Sequence, residues 1–255
     1  MTSSAEFLSS PLLTQSGFRH AFFTRQGGVS SGAYATLNFS VTVGDLEANV
    51  RENLRRASDA LGVSTDQLHF LSQVHGREVV RVEADTQASS TRFVEGDALL
   101  TRARNVACAV RTADCVPVLL ADRRSGAVAA VHAGWRGAVQ GVARAAVQSL
   151  REHVGGNAEL VAAIGPHISL AAFEVSADVA AQILAASLDP GIVEHAGPKP
   201  HVDLYRMLHA ELRAAGVLEI DHVRGCTVRE PERFFSYRRD GQASGRHLSA
   251  IVARL

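Results

Sequence analysis

The feature that most constrains this chain is a succession of short β-like runs interrupted by isolated helical segments. The β-like runs end near Gly, Pro or Asp, whereas the helical segments repeat apolar residues at every third or fourth position. Strands are predicted at 20–24, in two pieces within 68–82, and at 97–100, 105–111, 115–121, 126–132, 158–164, 219–224 and 247–254. Helices are predicted after an Asp45 N-cap as far as Leu61, and at 134–153, 176–187 and 203–215, the last capped by Asp203. This order predicts an α/β (α+β) fold in which helices lie outside a mixed sheet.

The segment Asp122–Ser125 predicts a hairpin between two of these runs. It reads as a four-residue loop, which places Ala121 opposite Gly126. Counting back along both strands then places Cys115 opposite His132. Residues opposed on one face of an antiparallel pair have Cβ atoms ~4.5–5.5 Å apart. We therefore predict that the two side chains are close enough to share a metal ion or to form a thiolate–imidazole pair.

Composition excludes several classes of protein. The 255 residues suit a single domain over 1–255, which is long enough to bury a core without disulfides. The apolar fraction of 46% is ordinary for a globular protein and too high for a disordered one. Basic and acidic residues balance at 26 each, so no charge excess indicates nucleic acid or an anionic membrane as a partner.

Cysteine usage and hydropathy predict the compartment. An odd, low count of 3 cysteines indicates no disulfide framework and suits a reducing compartment. The segment Met1–Leu13 has no basic start followed by an apolar core, so no secretory signal is expected. The longest apolar stretches are far too short to span a bilayer. We expect a cytoplasmic protein without a membrane partner, and the sequence leaves its oligomeric state open.

A third ligand is available from His75, which precedes a glycine between two β-like runs. Three nitrogen or sulfur ligands with an open fourth position are typical of catalytic zinc, whereas structural zinc sites use four. Thiolate and imidazole also suit copper, so both metals stay open. Each residue also has a structural interpretation, as a hydrogen-bonded histidine at a strand end or a packed cysteine. Cys108, inside an apolar run, takes that second interpretation.

Three arginines stand beside turns or aromatic residues. Gly134–Gly137 opens a predicted helix, whose free N–H groups favour an anion, and Arg136 offers a bidentate contact to phosphate or carboxylate. The alternative there is a tight turn with Trp135 packed into the core. Arg238 lies in an aromatic segment and Arg25 precedes a glycine pair. Each of these two is either an anion contact or part of a structural surface.

Segments along nearly the whole chain resemble one known family. The most specific are Thr112–Val118, which contains Asp-Cys-Val-Pro, and His132–Gly137, which reads His-Ala-Gly-Trp-Arg-Gly. The others are Phe22–Ser30, Leu37–Ser40, Val43–Asp45, Gln73–Gly76, Gly96–Leu99, Ile164–Pro166 and Phe234–Arg239. On these segments the chain resembles the YfiH-type laccase-domain proteins, which are also described as multicopper polyphenol oxidases and as purine nucleoside phosphorylases.

The resemblance implies a CNF/YfiH-like fold, with mixed β-sheets sandwiched between helices. It implies a metal site at His75, Cys115 and His132. The implied activity is phosphorolysis of adenosine, inosine and methylthioadenosine, with adenosine deamination as a second reaction. Weak copper-dependent oxidation of phenols is also attributed to the family, and one branch is linked to editing of peptidoglycan precursors.

The chain departs from the family pattern in two places. No cysteine stands before Phe173–Val175, where many members carry one. Val228 follows Cys226 and Thr227, where members often have a second cysteine close by. The three implied ligands are unaffected, but few soft ligands remain for further copper ions.

The leading hypothesis is a zinc-dependent purine nucleoside phosphorylase, with purine nucleosides and phosphate as its small-molecule partners. In this hypothesis Asp114 orients a ligand or acts as a catalytic base beside Cys115 and His132, and its alternative is a plain turn cap. Candidate phosphate or substrate contacts are Arg25, Arg136 and Arg238, and candidate hydrogen-bond partners of the ribose or base are Asn38 and Gln73.

Three other hypotheses stay open. A cysteine hydrolase or amidase would use Cys115 as nucleophile and His132 as its base, which fits the peptidoglycan branch. Copper-dependent phenol oxidation normally needs several metals, and the chain offers ligands for about one. A purely structural metal would need a fourth protein ligand, for which no motif is evident.

Overall fold

Two mixed β-sheets lie at the centre of the computed structural model, which describes residues 4–195 and 197–254. The strands are β1 (Phe7–Leu8), β2 (His20–Phe23), β3 (Leu68–His69), β4 (Val79–Arg81), β5 (Ala98–Thr101), β6 (Ala107–Thr112), β7 (Val116–Asp122), β8 (Val128–Ala133), β9 (Leu160–Ile164), β10 (Val193–Glu194), β11 (His201–Val202), β12 (Glu219–His222) and β13 (His247–Val252). One sheet has the order β1-β2-β13-β6-β3 and the other β12-β9-β7-β8-β5-β4, while β10 and β11 form a separate ribbon. The ends of the predicted 1–255 domain lie outside the described residues.

Alternate residues of β7 show how the layers of the fold arise. Val118 and Leu120 belong to a core that the second sheet forms with helices. Leu119 and Ala121 belong to a core shared with residues of the first sheet, such as Val110. Because successive side chains of a strand leave opposite faces, one strand serves both layers.

Helices flank the two sheets. They are α1 (Pro11–Gln15), α2 (Glu47–Leu61), α3 (Ala88–Thr91), α4 (Trp135–Val139), α5 (Val142–Val154), α6 (Ala177–Ala186), α7 (Leu204–Ala214) and α8 (Tyr237–Asp240). Ala57 and Leu61 of α2 pack on the first sheet, and α5 to α7 pack on the second. The expected fold, mixed sheets sandwiched between helices, is confirmed. Within the described part of the chain, no helix has the length and apolar character needed to cross a membrane.

The β7–β8 hairpin forms in a register two residues from the predicted one, so that prediction was wrong in detail. Ala121 lies opposite Val128, and Pro117 rather than Cys115 lies opposite His132. Because the side-chain period of a strand is two, this shift keeps Cys115 and His132 on one face. The two residues are therefore diagonal neighbours instead of directly opposed ones.

The chemistry of the loop accounts for this register. The Asp122 N–H donates to the Ala127 carbonyl at 2.8 Å, which adds one rung of the ladder before the turn. The Asp122 carboxylate then accepts the Ser125 N–H at 3.0 Å. Gly126 belongs to the turn at a φ of 75°, a left-handed conformation that glycine adopts without a steric penalty. The loop is thus displaced by one residue along the chain.

The helix predicted over 134–153 is two helices, α4 and α5. Gly141 separates them at a φ of 80°, which a continuous α-helix does not allow. The break leaves α5 on the sheet while α4 packs beside the loop that holds His75. A Cβ on Gly137 of α4 would lie 2.8 Å from the Gly76 carbonyl oxygen, which shows how close that approach is.

The two predicted caps differ in outcome. Asp203 caps α7 as predicted, since its side chain accepts the Arg206 N–H at 3.0 Å. Asp45 is not the N-cap of α2, which begins at Glu47. Its Oδ2 instead accepts bonds from Ser30 at 2.6 Å and Asn38 at 2.8 Å, so the carboxylate holds a loop.

Candidate metal centre

Three side chains, His75, Cys115 and His132, meet at one end of the second sheet. His75 lies in the loop between β3 and β4, Cys115 directly precedes β7, and His132 is on β8. Their ligand atoms all lie within 4.8 Å of one another, and the described residues contain no second group of this kind. The Cys115 sulfur is 3.8 Å from Nε2 of His75. The two imidazoles stand edge to face with centroids 4.8 Å apart.

Unusual backbone conformations bring these side chains together. His75 has a φ of 60° and Asp114, next to Cys115, has a φ of 87°. Positive φ is uncommon outside glycine, although Asp and His adopt it more readily than most residues. Hydrogen bonds hold both turns, from the His75 N–H to Asp97 at 3.0 Å and from the Ile168 N–H to the Asp114 carbonyl at 3.0 Å.

The buried carboxylate of Asp97 orients the centre, a role that the sequence analysis missed. Its Oδ1 accepts a bond from Nδ1 of His132 at 2.7 Å, and its Oδ2 accepts the Gly76 N–H at 2.7 Å. The bond at Nδ1 leaves Nε2 of His132 available to a metal, as carboxylates behind metal-bound histidines commonly do. The signal was present, since Asp97 belongs to the Gly96–Leu99 motif, but the motif alone suggested no partner.

Charges within the group favour a thiolate. Burial alone would raise the pKa of the Cys115 thiol, but the charge and hydrogen bond of His132 and a hydrogen bond from His75 lower it to about 6. Burial would lower the pKa of His132, and the thiolate together with Asp97 raises it instead, to about 9. The two shifts have opposite directions, and both favour a thiolate beside an imidazolium.

The donor set and the space around it fit a metal ion. One thiolate and two imidazoles are three of the ligands that zinc prefers, and catalytic zinc sites use three protein ligands and keep the fourth position open. Gly134 leaves room for them, because a Cβ there would lie 2.6 Å from Cδ2 of His75 and 3.1 Å from the Cys115 sulfur. Asp97 supplies the outer support that a ligating histidine needs. The same donors also suit copper.

The centre opens into a cavity of about 660 Å³. That size lies within the range of small-molecule sites, roughly 300–1,000 Å³. One part of the wall is apolar, with Ile168, Phe173 and Tyr237, and another is basic. Of the predicted site residues, the cavity is lined by His75, Cys115, His132, Gln73, Asp114, Arg136 and Arg238.

The side chains of Gln73 and Asp114 are held by bonds to neighbouring loops and strands. The Gln73 amide bonds both main-chain groups of Arg111, each at 2.7 Å. The Asp114 carboxylate accepts bonds from the Thr227 hydroxyl and the Arg238 N–H, each at 2.6 Å. These bonds position the cavity wall. Each carboxylate oxygen keeps a further lone pair, so the role of Asp114 as a base stays a prediction.

Arg25 and Asn38 are not among the residues that line this cavity, and their substrate contacts stay predictions. The Arg25 guanidinium donates to the main-chain carbonyls of Ala35 at 2.8 Å and Pro231 at 2.9 Å. Asn38 is fully buried, and its amide bonds Asp45 and the Arg246 N–H. Both side chains join loops to one another.

Arg136 and Arg238 lie exposed at the cavity rim. The Arg136 guanidinium lies 4.5 Å from the ring centroid of Trp135. Trp135 begins α4, as the predicted helix start implies, and is partly buried against the core, as the alternative interpretation has it. Arg238 lies 5.5 Å from the ring of Phe173 and donates to the Glu174 carbonyl at 2.8 Å. Both side chains are placed to meet a ligand at the entrance.

Sequence reasoning missed two further arginines in the cavity wall, Arg111 and Arg246. Arg111 stands on β6 just before the Thr112–Val118 motif, and Arg246 directly precedes β13. Strand pairing between β6 and β13 brings them together, and that pairing joins segments far apart in the chain. Proximity to the cysteine motif was the available signal for Arg111.

The fold and this candidate metal centre are those of a protein of the laccase-domain type. The family model described as "Multi-copper polyphenol oxidoreductase laccase" matches residues 19–254. The match spans nearly the whole chain, and the chain therefore belongs to this family, whose members include the YfiH proteins.

Individual relatives extend the comparison. A protein of Deinococcus radiodurans named purine nucleoside phosphorylase is 42% identical over 91% of this chain and 88% of its own length. The crystal structure of a Neisseria meningitidis protein of the DUF152 family is similar at a TM-score of 0.85, with 36% identity over 98% of this chain and 99% of that one. A hypothetical protein YfiH of Bacillus licheniformis gives a TM-score of 0.88, with 29% identity over 95% of this chain and 94% of that one.

Proposed function

We propose that this chain is a zinc-dependent purine nucleoside phosphorylase acting on adenosine, inosine and methylthioadenosine, with adenosine deamination as a second reaction. The observation that carries the proposal is the His75–Cys115–His132 group at the base of a cavity of nucleoside size. The name of the Deinococcus radiodurans relative supports it. The three free cysteines also support a cytoplasmic setting.

Phosphorolysis joins a phosphate oxygen to C1′ of the ribose and breaks the bond from C1′ to the purine nitrogen. The purine leaves with the bonding electrons and takes up a proton. Zinc held by His75, Cys115 and His132 would supply a Lewis acid for this reaction and activate water for deamination. Asp97 keeps the His132 ring oriented.

The cavity walls suggest where the substrate binds. Ile168, Phe173 and Tyr237 offer apolar and aromatic surface on which a purine can stack. Ser40 and Ser72 add hydroxyl groups that can bond a ribose. In this arrangement the apolar and hydroxyl groups bind and orient the nucleoside, and the arginines of the basic wall are available to bind phosphate.

The decisive experiment is chromatography of adenosine incubated with the zinc-loaded protein, with and without phosphate. Adenine that appears only with phosphate supports phosphorolysis, and inosine in both incubations supports deamination. Unchanged adenosine in both would contradict the proposal.

A substitution tests the role of the metal centre. We expect Cys115→Ala to abolish zinc retention and turnover together, because it removes the thiolate ligand. Cys226→Ala is the matched control, since Cys226 lies outside the group and should retain both. Zinc content and adenine release are measured on the same preparations. Full activity of Cys115→Ala without zinc would contradict the proposed role.

A cysteine hydrolase or amidase acting on peptidoglycan precursors is the second candidate. It is favoured by the lowered pKa of Cys115 beside His132, since the thiolate is the reactive species. Alkylation of Cys115 by iodoacetamide separates the two candidates. A thiol that reacts rapidly in the purified protein supports the hydrolase, whereas zinc that survives dialysis and blocks alkylation argues against it.

Phenol oxidation with copper, the activity in the family description, has narrower support in this chain. Oxygen chemistry of that kind normally uses several metal ions. The described residues contain one His/Cys group, and it has three ligands. We assign such oxidation to a side activity of the same centre.

A further inference from the structure

Arg111 and Arg246, the two arginines that sequence reasoning missed, project from the same face of the first sheet. Arg111 of β6 lies opposite Leu248 of β13. Arg246 precedes Leu248 by two residues, and side chains two apart on an extended strand share a face. Both arginines line the cavity that contains the metal centre. The pairing of β6 with β13 therefore makes the two arginines diagonal neighbours on one face of the sheet.

Neither guanidinium has a carboxylate partner among the described residues. Arg111 donates to the Leu71 carbonyl at 3.2 Å and lies over the Phe70 ring at 4.7 Å. Arg246 donates to the Ser244 carbonyl at 2.7 Å. These contacts fix the two groups without neutralising them. Each guanidinium has five N–H donors, so most of its donors stay available to a ligand.

The neighbouring negative groups do not neutralise the positive charges of Arg111 and Arg246. Burial and the neighbouring Arg246 lower the pKa of Arg111 to about 10, so the group is still charged at neutral pH. The negative groups that act on Arg246 are Cys115 and Asp114. Asp114 already bonds Thr227 and the Arg238 N–H, and Cys115 would bind the metal. A half-buried pair of like charges is costly unless an anion joins it.

We propose that Arg111 and Arg246 together bind a phosphate group beside the metal centre, and that free inorganic phosphate is the phosphate they hold. The assignment of this phosphate as the co-substrate rests on the proposed phosphorolysis. Guanidinium forks match phosphate oxygens through paired hydrogen bonds. The exposed Arg136 and Arg238 are screened by solvent and meet the ligand only at the entrance.

The test compares phosphate binding with catalysis in the zinc-loaded protein. The variants are Arg111→Gln, Arg246→Gln and the charge-retaining Arg246→Lys, and Arg104→Gln at an exposed position is the matched control. Binding of inorganic phosphate is measured by broadening of its ³¹P resonance. Circular dichroism and thermal unfolding confirm that each variant is folded, and Arg246→Lys keeps the test decisive if a glutamine variant unfolds.

We expect the two glutamine variants to weaken phosphate binding and to raise KM for phosphate about tenfold or more, as loss of a charge-assisted hydrogen bond predicts. KM for adenosine should change much less, and Arg246→Lys should lie between the glutamine variant and the natural protein. A merely structural role would change both KM values together. Equal phosphate binding in all variants would overturn the proposal.

Two further outcomes separate the sources of the phosphate and the two proposals. Arginine-dependent binding of adenosine 5′-monophosphate without binding of inorganic phosphate would overturn the assignment to free phosphate. Arginine-dependent phosphate binding without any phosphorolysis would support the site and contradict the proposed function. Phosphorolysis with an unchanged KM for phosphate in the variants would support the proposed function and contradict the arginine site.

Discussion

The carboxylate of Asp97 shows how much one residue contributes to this centre. Its two oxygens accept four donors, from the His132 ring and from the N–H groups of Val74, His75 and Gly76. It therefore fixes the ring of one ligand and the backbone of another. Burial raises the pKa of Asp97, but bonds from His132 and Gly76 lower it below its usual range, so the carboxylate is ionised.

Asp97→Asn is expected to weaken zinc binding by about 10- to 100-fold, the usual effect of losing support behind a ligating histidine. The amide has one acceptor oxygen, so its NH₂ group would face donors that now bond the second carboxylate oxygen. Zinc affinity is measured by competition with a chromogenic chelator. Asp85→Asn, at an exposed position, is the control. An Asp97→Asn protein that binds zinc as tightly as this control would refute the positioning role.

At the scale of elements, Gly141 decides the shape of the segment after His132. Periodicity alone predicts one helix there, because both halves carry apolar residues on one side. A continuous helix would carry α4 away from the loop of His75. With the break, the Gln140 side chain donates to the His75 carbonyl at 3.3 Å. The break at Gly141 therefore allows α5 to pack on the sheet while α4 lies beside the loop of His75.

Gly141→Ala is expected to lower the free energy of unfolding by about 1–2 kcal/mol, the cost of a left-handed conformation for an L-residue. The atom nearest to a Cβ there, Nη2 of Arg144 at 2.6 Å, is the end of a flexible side chain that can move aside, so the cost is mainly conformational. Gly197→Ala is the matched control, since nothing lies within 4 Å of a Cβ there. Both variants lose the same flexibility in the unfolded chain, so their difference isolates the conformational cost. Urea unfolding measures it, and equal stabilities would contradict the prediction.

Local patterns predicted elements better than they predicted the contacts between them. The strands, the cap at Asp203 and the shared face of Cys115 and His132 follow from periodicity and turn chemistry. The register of the hairpin does not follow from them, because Asp122 forms an additional ladder hydrogen bond with Ala127 that a turn pattern does not reveal. The Arg111–Arg246 pair depends on β6 meeting β13, and the bonds of Asn38 depend on loops that meet only in the folded chain. Such contacts are long-range, and a local pattern carries no information about them.

At the scale of the whole molecule, His247 couples stability to pH. It lies on β13 in the middle of the first sheet, and Nε2 accepts the Phe235 N–H at 2.9 Å. Burial, together with the nearby charges of Arg25, Arg246 and Arg239, lowers its pKa to about 3, against a bond to Thr112 that raises it. The ring is therefore neutral in the folded protein at any pH near neutrality.

The sign of the effect follows from comparing the folded and unfolded chains. An unfolded histidine titrates near pH 6.5, whereas the folded one takes up its proton only near pH 3. Between these values the unfolded chain binds the additional proton, so acid favours unfolding. The contribution of His247 to stability is complete above about pH 6.5 and declines as the pH falls through this window.

His247→Gln is expected to remove this dependence, because glutamine keeps an acceptor for the Phe235 N–H and does not titrate. The natural protein should lose about 2 kcal/mol more than the variant between about pH 7 and about pH 5. Urea unfolding of both proteins across this range measures the difference. Other buried histidines, such as His20 and His167, titrate equally in both proteins and cancel. Parallel stability curves for the two proteins would mean that His247 is not held neutral by the fold.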